Sequence, residues 1–300
     1  MSLTPLDKNA IRSSFDRAAS SYDRHAVLQR EIESRLLERI EFQRLEPATI
    51  LDLGCGTGSA SRALAGQFPQ ANIIALDWAP AMLKRAGDAM EEQRHSTGGI
   101  GRLCADMHAL PLAARSTDLV FSSLALQWSY DLPAVFREFR RIMKADAMLL
   151  FTCFGPDTLY ELKQAWRAVD DLPHVNDYPD MHDIGDELLA AGFREPVMDT
   201  ERLTLEYPDV LSLMRDLKGI GAHNVASRRS HGLTGKGRLQ GMLQAYEPFR
   251  RESRYPASYE IIYGTAFAPR DGQPVKTAEG DVATFSIDAL LTRSRKPKPS

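Results

Sequence analysis

The segment ILDLGCGTGSASRAL, residues 50–64, decides the reading of this chain. A short apolar run leads into Gly54, Gly56 and Gly58, and an amphipathic stretch follows at once. Glycines at a strand-to-helix turn permit positive φ and leave no side chain to hold a ligand off the backbone. The helix N-terminus that follows presents unpaired N–H groups. Two common ligand loops do not fit. A phosphate-cradling loop needs Gly-Lys-Ser/Thr, and Thr57-Gly58-Ser59 has no lysine. A dinucleotide loop needs G-x-G-x-x-G, and its third glycine position here is Ser59. What stands is Asp52-x-Gly54-x-Gly56-x-Gly58, an acidic residue followed by alternating glycines.

Outward from this loop the chain alternates short apolar runs with amphipathic stretches. Strands are predicted at 49–53, 72–77, 101–106, 117–123 and 147–154, with helices near 58–67, 80–94 and 132–144. That alternation signals a parallel sheet covered on both faces. Before it, Ile11, Phe15, Ala18, Ala19 and Tyr22, then Val27, Leu28, Ile32, Leu36, Leu37 and Ile40, recur at helical spacing and predict two helices over 7–43. After it come helices near 157–169, 183–191, 208–219 and 235–250, and strands at 196–207 and 258–268. The tail at 294–300 is charged and proline-rich and reads as disordered. No linker divides the chain. The expected organisation is one domain, with N-terminal helices (1–46), a ligand-binding core (47–155) and a region of further sheet and helical cap (156–268).

Composition excludes several classes. Of 300 residues 43% are apolar and 26% charged, and 37 basic against 40 acidic side chains give −3, so no global basic field argues for nucleic acid. The longest nearly unbroken apolar run, 147–154, is far short of a membrane span. Cys55, Cys104 and Cys153 are scattered, with neither disulfide nor zinc spacing. The start, MSLTPLDKN, lacks the basic-then-apolar pattern of a secretory signal, so a cytoplasmic protein is expected.

The acidic-glycine pattern resembles motif I of class I S-adenosylmethionine-dependent methyltransferases. The resemblance implies an α/β Rossmann-like fold: a mostly parallel seven-stranded sheet, helices on both faces and added helices forming a cap. It also implies S-adenosylmethionine as cofactor and no metal. Asp52 suits a ligand whose amino acid end carries an ammonium group. Asp77 ends the second predicted strand nineteen positions beyond Gly58, where it can accept from both ribose hydroxyls. Asp106 ends the third, where the family places a carboxylate or amide near the adenine amino group. A lone strand-end Asp reads as a cap; three on successive strands read as a binding edge. The expected cofactor residues are therefore Asp52, Gly54, Gly56, Gly58, Asp77, Asp106 and Gln127.

Three further segments narrow the resemblance. FDRAASSYDRHAVLQ (15–29), LALQW (124–128) and LMRDLKGIGAHN (213–224) look like the BioC family, malonyl-[acyl-carrier protein] O-methyltransferase of biotin synthesis, over about residues 8 to 268. The implied reaction is methyl transfer to the free carboxylate of a malonyl thioester on acyl carrier protein. Such a carboxylate is already ionised at neutral pH, so no general base is needed. Tyr22, Gln127 and Trp128 are candidate pocket walls, and Lys218, His223, Arg228 and Arg229 candidate recognisers of the carboxylate. Tyr22, Trp128, Lys218 and His223 are carried forward as catalytic candidates. Arg228, Arg229, Lys236, Arg238, Arg250, Arg251 and Arg254 are candidate contacts to an acidic carrier protein. Other readings stay open: another small acid as acceptor, a protein hydroxylase resembling respiratory complex I assembly factors, or a non-catalytic scaffold.

Overall fold

The computed structural model describes residues 6–91, 99–222, 224, 235–270, 275–277 and 280–282. Asp7 caps the first helix, α1 (Lys8–Ala18), by accepting the Ala10 N–H at 3.1 Å. A single turn, α2 (Tyr22–His25), and then α3 (Val27–Glu41) follow. Sequence periodicity predicts two helices here, and the structure has three. Ser21 makes the difference. Its hydroxyl donates to the Ala18 carbonyl at 3.1 Å and to the distant Gly219 carbonyl at 3.0 Å, which stops one helix and isolates a four-residue turn.

The core alternates as expected: β1 (Thr49–Leu53), α4 (Ser59–Gln67), β2 (Asn72–Asp77), α5 (Pro80–Glu91), β3 (Ile100–Cys104), β4 (Thr117–Ser123), α6 (Leu132–Ile142) and β5 (Met143–Phe154). Then come α7 (Tyr160–Arg167), α8 (Met181–Ala190), β6 (Arg194–Tyr207), α9 (Val210–Gly219), α10 (Lys236–Tyr246) and β7 (Tyr255–Phe267). A two-stranded hairpin pairs β8 (Val275–Thr277) with β9 (Gly280–Val282). The large sheet has the order β3-β2-β1-β4-β5-β7-β6, parallel up to β5 and antiparallel at β7 and β6. β3 ends at Cys104, two residues short of the expectation, so Asp106 sits in the loop beyond the strand. The order reverses between β1 and β4, the topological switch point at which open α/β sheets bind ligands.

Period-two alternation sends the strands' apolar side chains to two cores. Ile50, Leu119, Phe121, Met148, Leu150, Ile261 and Tyr263 pack with Leu28, Ile32, Leu36 and Ile40 of α3. Leu51, Leu53, Val120, Leu149, Phe151 and Ile262 pack with Val135, Phe136 and Phe139 of α6 and Ile184 and Leu188 of α8. Both faces are therefore helix-covered. Asp52 falls on the α3 side of β1, since it alternates with Leu51 and Leu53. α1 packs on α5, and α2 on α9, above the C-terminal ends of the strands. Among the described residues no helix is long and apolar enough to cross a membrane.

Phe136 is fully buried, its ring 6.3 Å from Phe139, 6.2 Å from Phe151 and 6.4 Å from Phe193. Phe136→Ala should lower the unfolding free energy by about 3–5 kcal/mol. Urea denaturation checks this; a loss under 1 kcal/mol would mean that the α6 face closes over the cavity.

Candidate active site

The turn after β1 has a closed side and an open side. Gly54 and Cys55 donate their N–H groups to the Leu76 carbonyl at 2.8 and 2.9 Å, which ties the turn to β2. Gly54 has φ +73°, and a Cβ there would lie 2.3 Å from the Cβ of Ala125. Gly58, at φ +78°, starts α4, and a Cβ on it would meet Met90 at 2.8 Å and Ala86 at 3.0 Å. Gly56 differs. Its φ is +53°, yet nothing lies within 4 Å of where its Cβ would stand. Gly54 and Gly58 are packing glycines, and Gly56 is bare toward open space. Asp77 fixes the loop: its carboxylate accepts the Gly56 N–H at 3.0 Å and the Ala79 N–H at 2.8 Å.

Two cavities meet over this turn. One is roofed by Ile11 and Phe15 of α1 and walled by Leu76, Asp77, Trp78, Met82, residues 105–108, Leu124, Ala125 and Trp128. The other is more polar, with Asp23, Arg30, Glu33, Asp52, Thr57, Ser59 and Arg62. Tyr22, Gly54, Gly56 and Ser123 border both. The joined space suits an elongated ligand, flat and apolar at one end and charged at the other. Leu124 holds a left-handed φ of 50°, and the next residue is the Ala125 that presses on Gly54. Such strain in a non-glycine residue persists only where the surroundings impose it.

The charge on these walls is acidic and desolvated. Asp52 is 2% exposed; burial pushes its carboxyl up to about 7, with Glu33 and Asp77 adding to the rise and the Ser61 hydroxyl, bonded to it, opposing. Burial likewise raises Asp77 to about 6, against the pull of the Ala79 and Gly56 N–H groups. Glu33 of α3 is also raised by burial, although Ser59 and Ala60 at the start of α4 hydrogen-bond to it. Neighbouring carboxyl groups that resist ionisation are relieved by a cation. A ligand bearing a sulfonium and an ammonium supplies two, so this donor set fits S-adenosylmethionine. A pyrophosphate would meet repulsion.

The structure brings together Tyr22, Asp52, Gly54, Gly56, Asp77, Asp106 and Trp128 around the joined cavities, with Gly58 behind them as a packing residue. Trp128 meets Phe15 edge-on, ring centroids 5.1 Å apart. Gln127 departs from expectation. It lines neither cavity; its amide donates to the Leu124 carbonyl at 2.8 Å, and its Oε1 is buried with no partner among the described residues. Lys218 departs too. It is exposed at the end of α9 and borders neither cavity, because α9 docks on α2 through His25–Asp216 and Ser21–Gly219. His223, Arg228, Arg229 and the tail at 294–300 lie outside the described residues.

Several wall residues escape sequence reasoning. Glu33 and Arg30 read as polar positions of an amphipathic helix, and only packing of α3 beside α4 makes them walls. His108 had a signal, its place two residues after Asp106. Its Nδ1 bonds Asp106 Oδ1 at 2.6 Å and its Nε2 bonds Ser129 Oγ at 3.0 Å. Tyr130 stacks on that imidazole at 3.6 Å, and the Lys8 ammonium lies 3.5 Å from the centroid of the Tyr130 ring. His108 and Lys8 hold the Asp106 carboxyl below its usual range, although desolvation opposes them.

Asp52 also sets a pH dependence of stability. Its folded pKa is raised, so the folded state keeps a proton that the unfolded chain releases. The stabilisation is complete below about pH 4 and is lost as the pH rises through about 7, about 4 kcal/mol in all. Asp52→Asn should flatten the fall in unfolding free energy over that window. An unaltered slope in urea titrations at pH 4 to 8 would show that Asp52 is ionised in the fold.

Known proteins agree with this geometry. A family model described as "Methyltransferase domain" matches residues 51–151. A malonyl-[acyl-carrier protein] O-methyltransferase from Gallionella capsiferriformans is 49% identical over 277 residues, covering 90% of this chain and 96% of the relative. One of the same name from Legionella pneumophila is 41% identical, covering 95% and 99%. Among solved structures, Haemonchus contortus phosphoethanolamine N-methyltransferase 2 in complex with S-adenosyl-L-methionine shares the fold, with a TM-score of 0.52 at 15% identity over 85% of this chain and 57% of that one. With such identity along nearly its whole length, this chain belongs to the malonyl-[acyl-carrier protein] O-methyltransferase family.

Proposed function

We propose that the protein transfers the methyl group of S-adenosylmethionine to the free carboxylate of a malonyl thioester on acyl carrier protein. The product is a malonyl methyl ester that primes pimeloyl synthesis for biotin. The observation that carries this reading is the pair of cavities meeting at a bare turn, found in a chain 49% identical to a relative so named. Bound S-adenosylmethionine supplies a methyl group on positively charged sulfur, which the carboxylate oxygen takes as the carbon–sulfur bond breaks and a neutral thioether leaves.

The chain's residues orient and desolvate. Asp77, at the end of β2, is placed to accept from ribose hydroxyls with the acceptor sites that its two backbone contacts leave free. Asp106 and the residues beside it form the adenine end, held by the His108 contact. Asp52 and Glu33 face the amino acid end, with Arg30 and Arg62 in the same wall to meet its carboxylate. Tyr22 stands at the junction of the two cavities. Burial and the nearby Glu33, Asp77 and Asp23 hold its phenol far above the usual range, so it stays a hydrogen-bond donor and no base. Its hydroxyl has no partner among the described residues.

Recognition of the malonyl carboxylate follows from what the cavity contains. Among the described residues no lysine or arginine lines the space beneath α1. Tyr22, whose hydroxyl is free of partners among the described residues, and the Trp128 indole are the donors assigned to that carboxylate, and neutral donors leave its oxygen more nucleophilic than an ion-pair clamp would. A clamp that held the starting carboxylate tightly would stabilise the ground state as well. Trp128, Phe15 and Ile11 keep water from the reacting atoms. Alignment of this kind is worth about 7–11 kcal/mol in favourable systems.

Purified protein incubated with methyl-labelled S-adenosylmethionine and malonyl acyl carrier protein should label the carrier as a base-labile ester; label on another acid only would refute the acceptor. Tyr22→Phe should cut kcat/KM for the malonyl substrate about 10- to 100-fold, the worth of one hydrogen bond to a charged group, at unchanged cofactor Kd. An unchanged kcat/KM would remove Tyr22 from the acceptor site. Asp52 must be ionised to hold the ammonium group and Asp77 to accept from both ribose hydroxyls, with folded values of about 7 and about 6. Cofactor affinity should therefore climb from pH 5 to 7.5 and level off above; calorimetry showing a flat profile would contradict the assignment.

A further inference from the structure

The roof of the cavity is cationic on its outer side. α1 turns Ile11 and Phe15 inward and leaves Lys8, Arg12 and Arg17 exposed. α5 packs beside it, gives Met82 to the cavity and exposes Lys84 and Arg85; Arg24 of α2 is exposed as well. Asp88 of α5 is exposed, but the carboxylates of the α1–α2 stretch are turned onto other donors. Asp7 accepts from the Ala10 N–H, Asp16 from the Ala81 N–H at 3.0 Å, and Asp23 from the Thr57 hydroxyl at 2.7 Å. Arg17, Arg24 and Lys84 have no ion pair among the described residues, and Arg12 and Arg85 only approach Asp16 and Asp23, at 4.0 Å. The whole chain is −3, so this is a local positive field on an acidic protein.

The other basic group that sequence reasoning favours is placed differently. Arg238 pairs with Asp170 and Arg250 with Glu247, and α10 packs on α7 with none of its residues on either cavity.

We propose that the outer face of α1 and α5, centred on Arg12, Arg17 and Lys84, is the docking surface for the acidic body of the acyl carrier protein. The inference rests on the acceptor proposed above. An acyl group tethered to a carrier reaches the cavity only if the carrier sits at its rim, and these two helices form that rim. Charges at such a rim steer encounter and fix orientation, and salt screens them beyond about 8–10 Å.

The test is the triple variant Arg12→Glu/Arg17→Glu/Lys84→Glu beside a control, Lys236→Glu/Arg254→Glu. Binding of unacylated carrier protein, read by fluorescence anisotropy, does not depend on methyl transfer, so it stands even if the acceptor assignment fails. The triple variant should weaken that binding at least about tenfold and lose its salt dependence, while the control binds like wild type. The ratio of kcat/KM on malonyl carrier protein to kcat/KM on malonyl coenzyme A should fall alike, which cancels any shared folding defect. Unchanged binding in the triple variant would overturn the proposal, and a loss confined to the control would move docking to the face that carries Lys236 and Arg254.

Discussion

The contact between Gly54 and Ala125 governs the site. β1 and β4 are neighbours at the point where strand order reverses, and the turns that leave them approach too closely for a Cβ on residue 54. That close approach holds the β1 turn in a left-handed conformation and aims Gly56 at open space. Asp77 then locks the arrangement by accepting N–H groups from the turn and from the start of α5. Cavity, helix start and acidic wall all take their positions from this one packing constraint.

The electrostatics follow from the same placement. Once the turn is bare and covered by α1, α2 and α3, the carboxyl groups beside it lose water, and Arg30 and Arg62 in the same wall offset only part of that loss for Glu33. Asp52, Asp77 and Glu33 are raised for that reason, with desolvation the largest cause in each. Such a wall is unfavourable empty and becomes favourable when a cationic ligand enters. Specificity for a positively charged nucleoside over a pyrophosphate is thus written into the desolvation of acids.

Among the described residues the cavity proposed above for the acceptor has no lysine or arginine in its lining, and this matches the chemistry. An anion attacking a cationic centre loses charge on the way to the transition state, so the walls need to align and to exclude water. Phe15, Ile11 and Trp128 enclose the space, and Tyr22 remains a donor because burial keeps its proton. Of the positive charges that sequence reasoning sought inside the pocket, Lys218 lies outside it, and His223, Arg228 and Arg229 fall outside the described residues. Lysine and arginine on α1 and α5 are exposed on the outer side of the roof.

The order of strands and helices through β5 was legible in the residues because each apolar run and each glycine carries its own local physics. Positive φ at residues 54, 56 and 58, burial of β1 and β4 on both faces, and an acid at the end of β2 follow from short-range constraints. Which glycine packs and which opens did not, since Gly54 and Gly56 look alike until Ala125 arrives from the turn after β4, far along the chain. Gln127 sits beside Trp128 in sequence, yet its amide turns back to Leu124 while the indole faces the cavity. Glu33 becomes a wall, and Lys218 a surface residue, only through helix docking. Spacing settled the strand–helix alternation and the glycine loop, and the resemblance of that loop to a methyltransferase motif implied the full sheet and the kind of cofactor; side-chain direction and helix placement, set by contacts between segments remote in sequence, decided who lines the site.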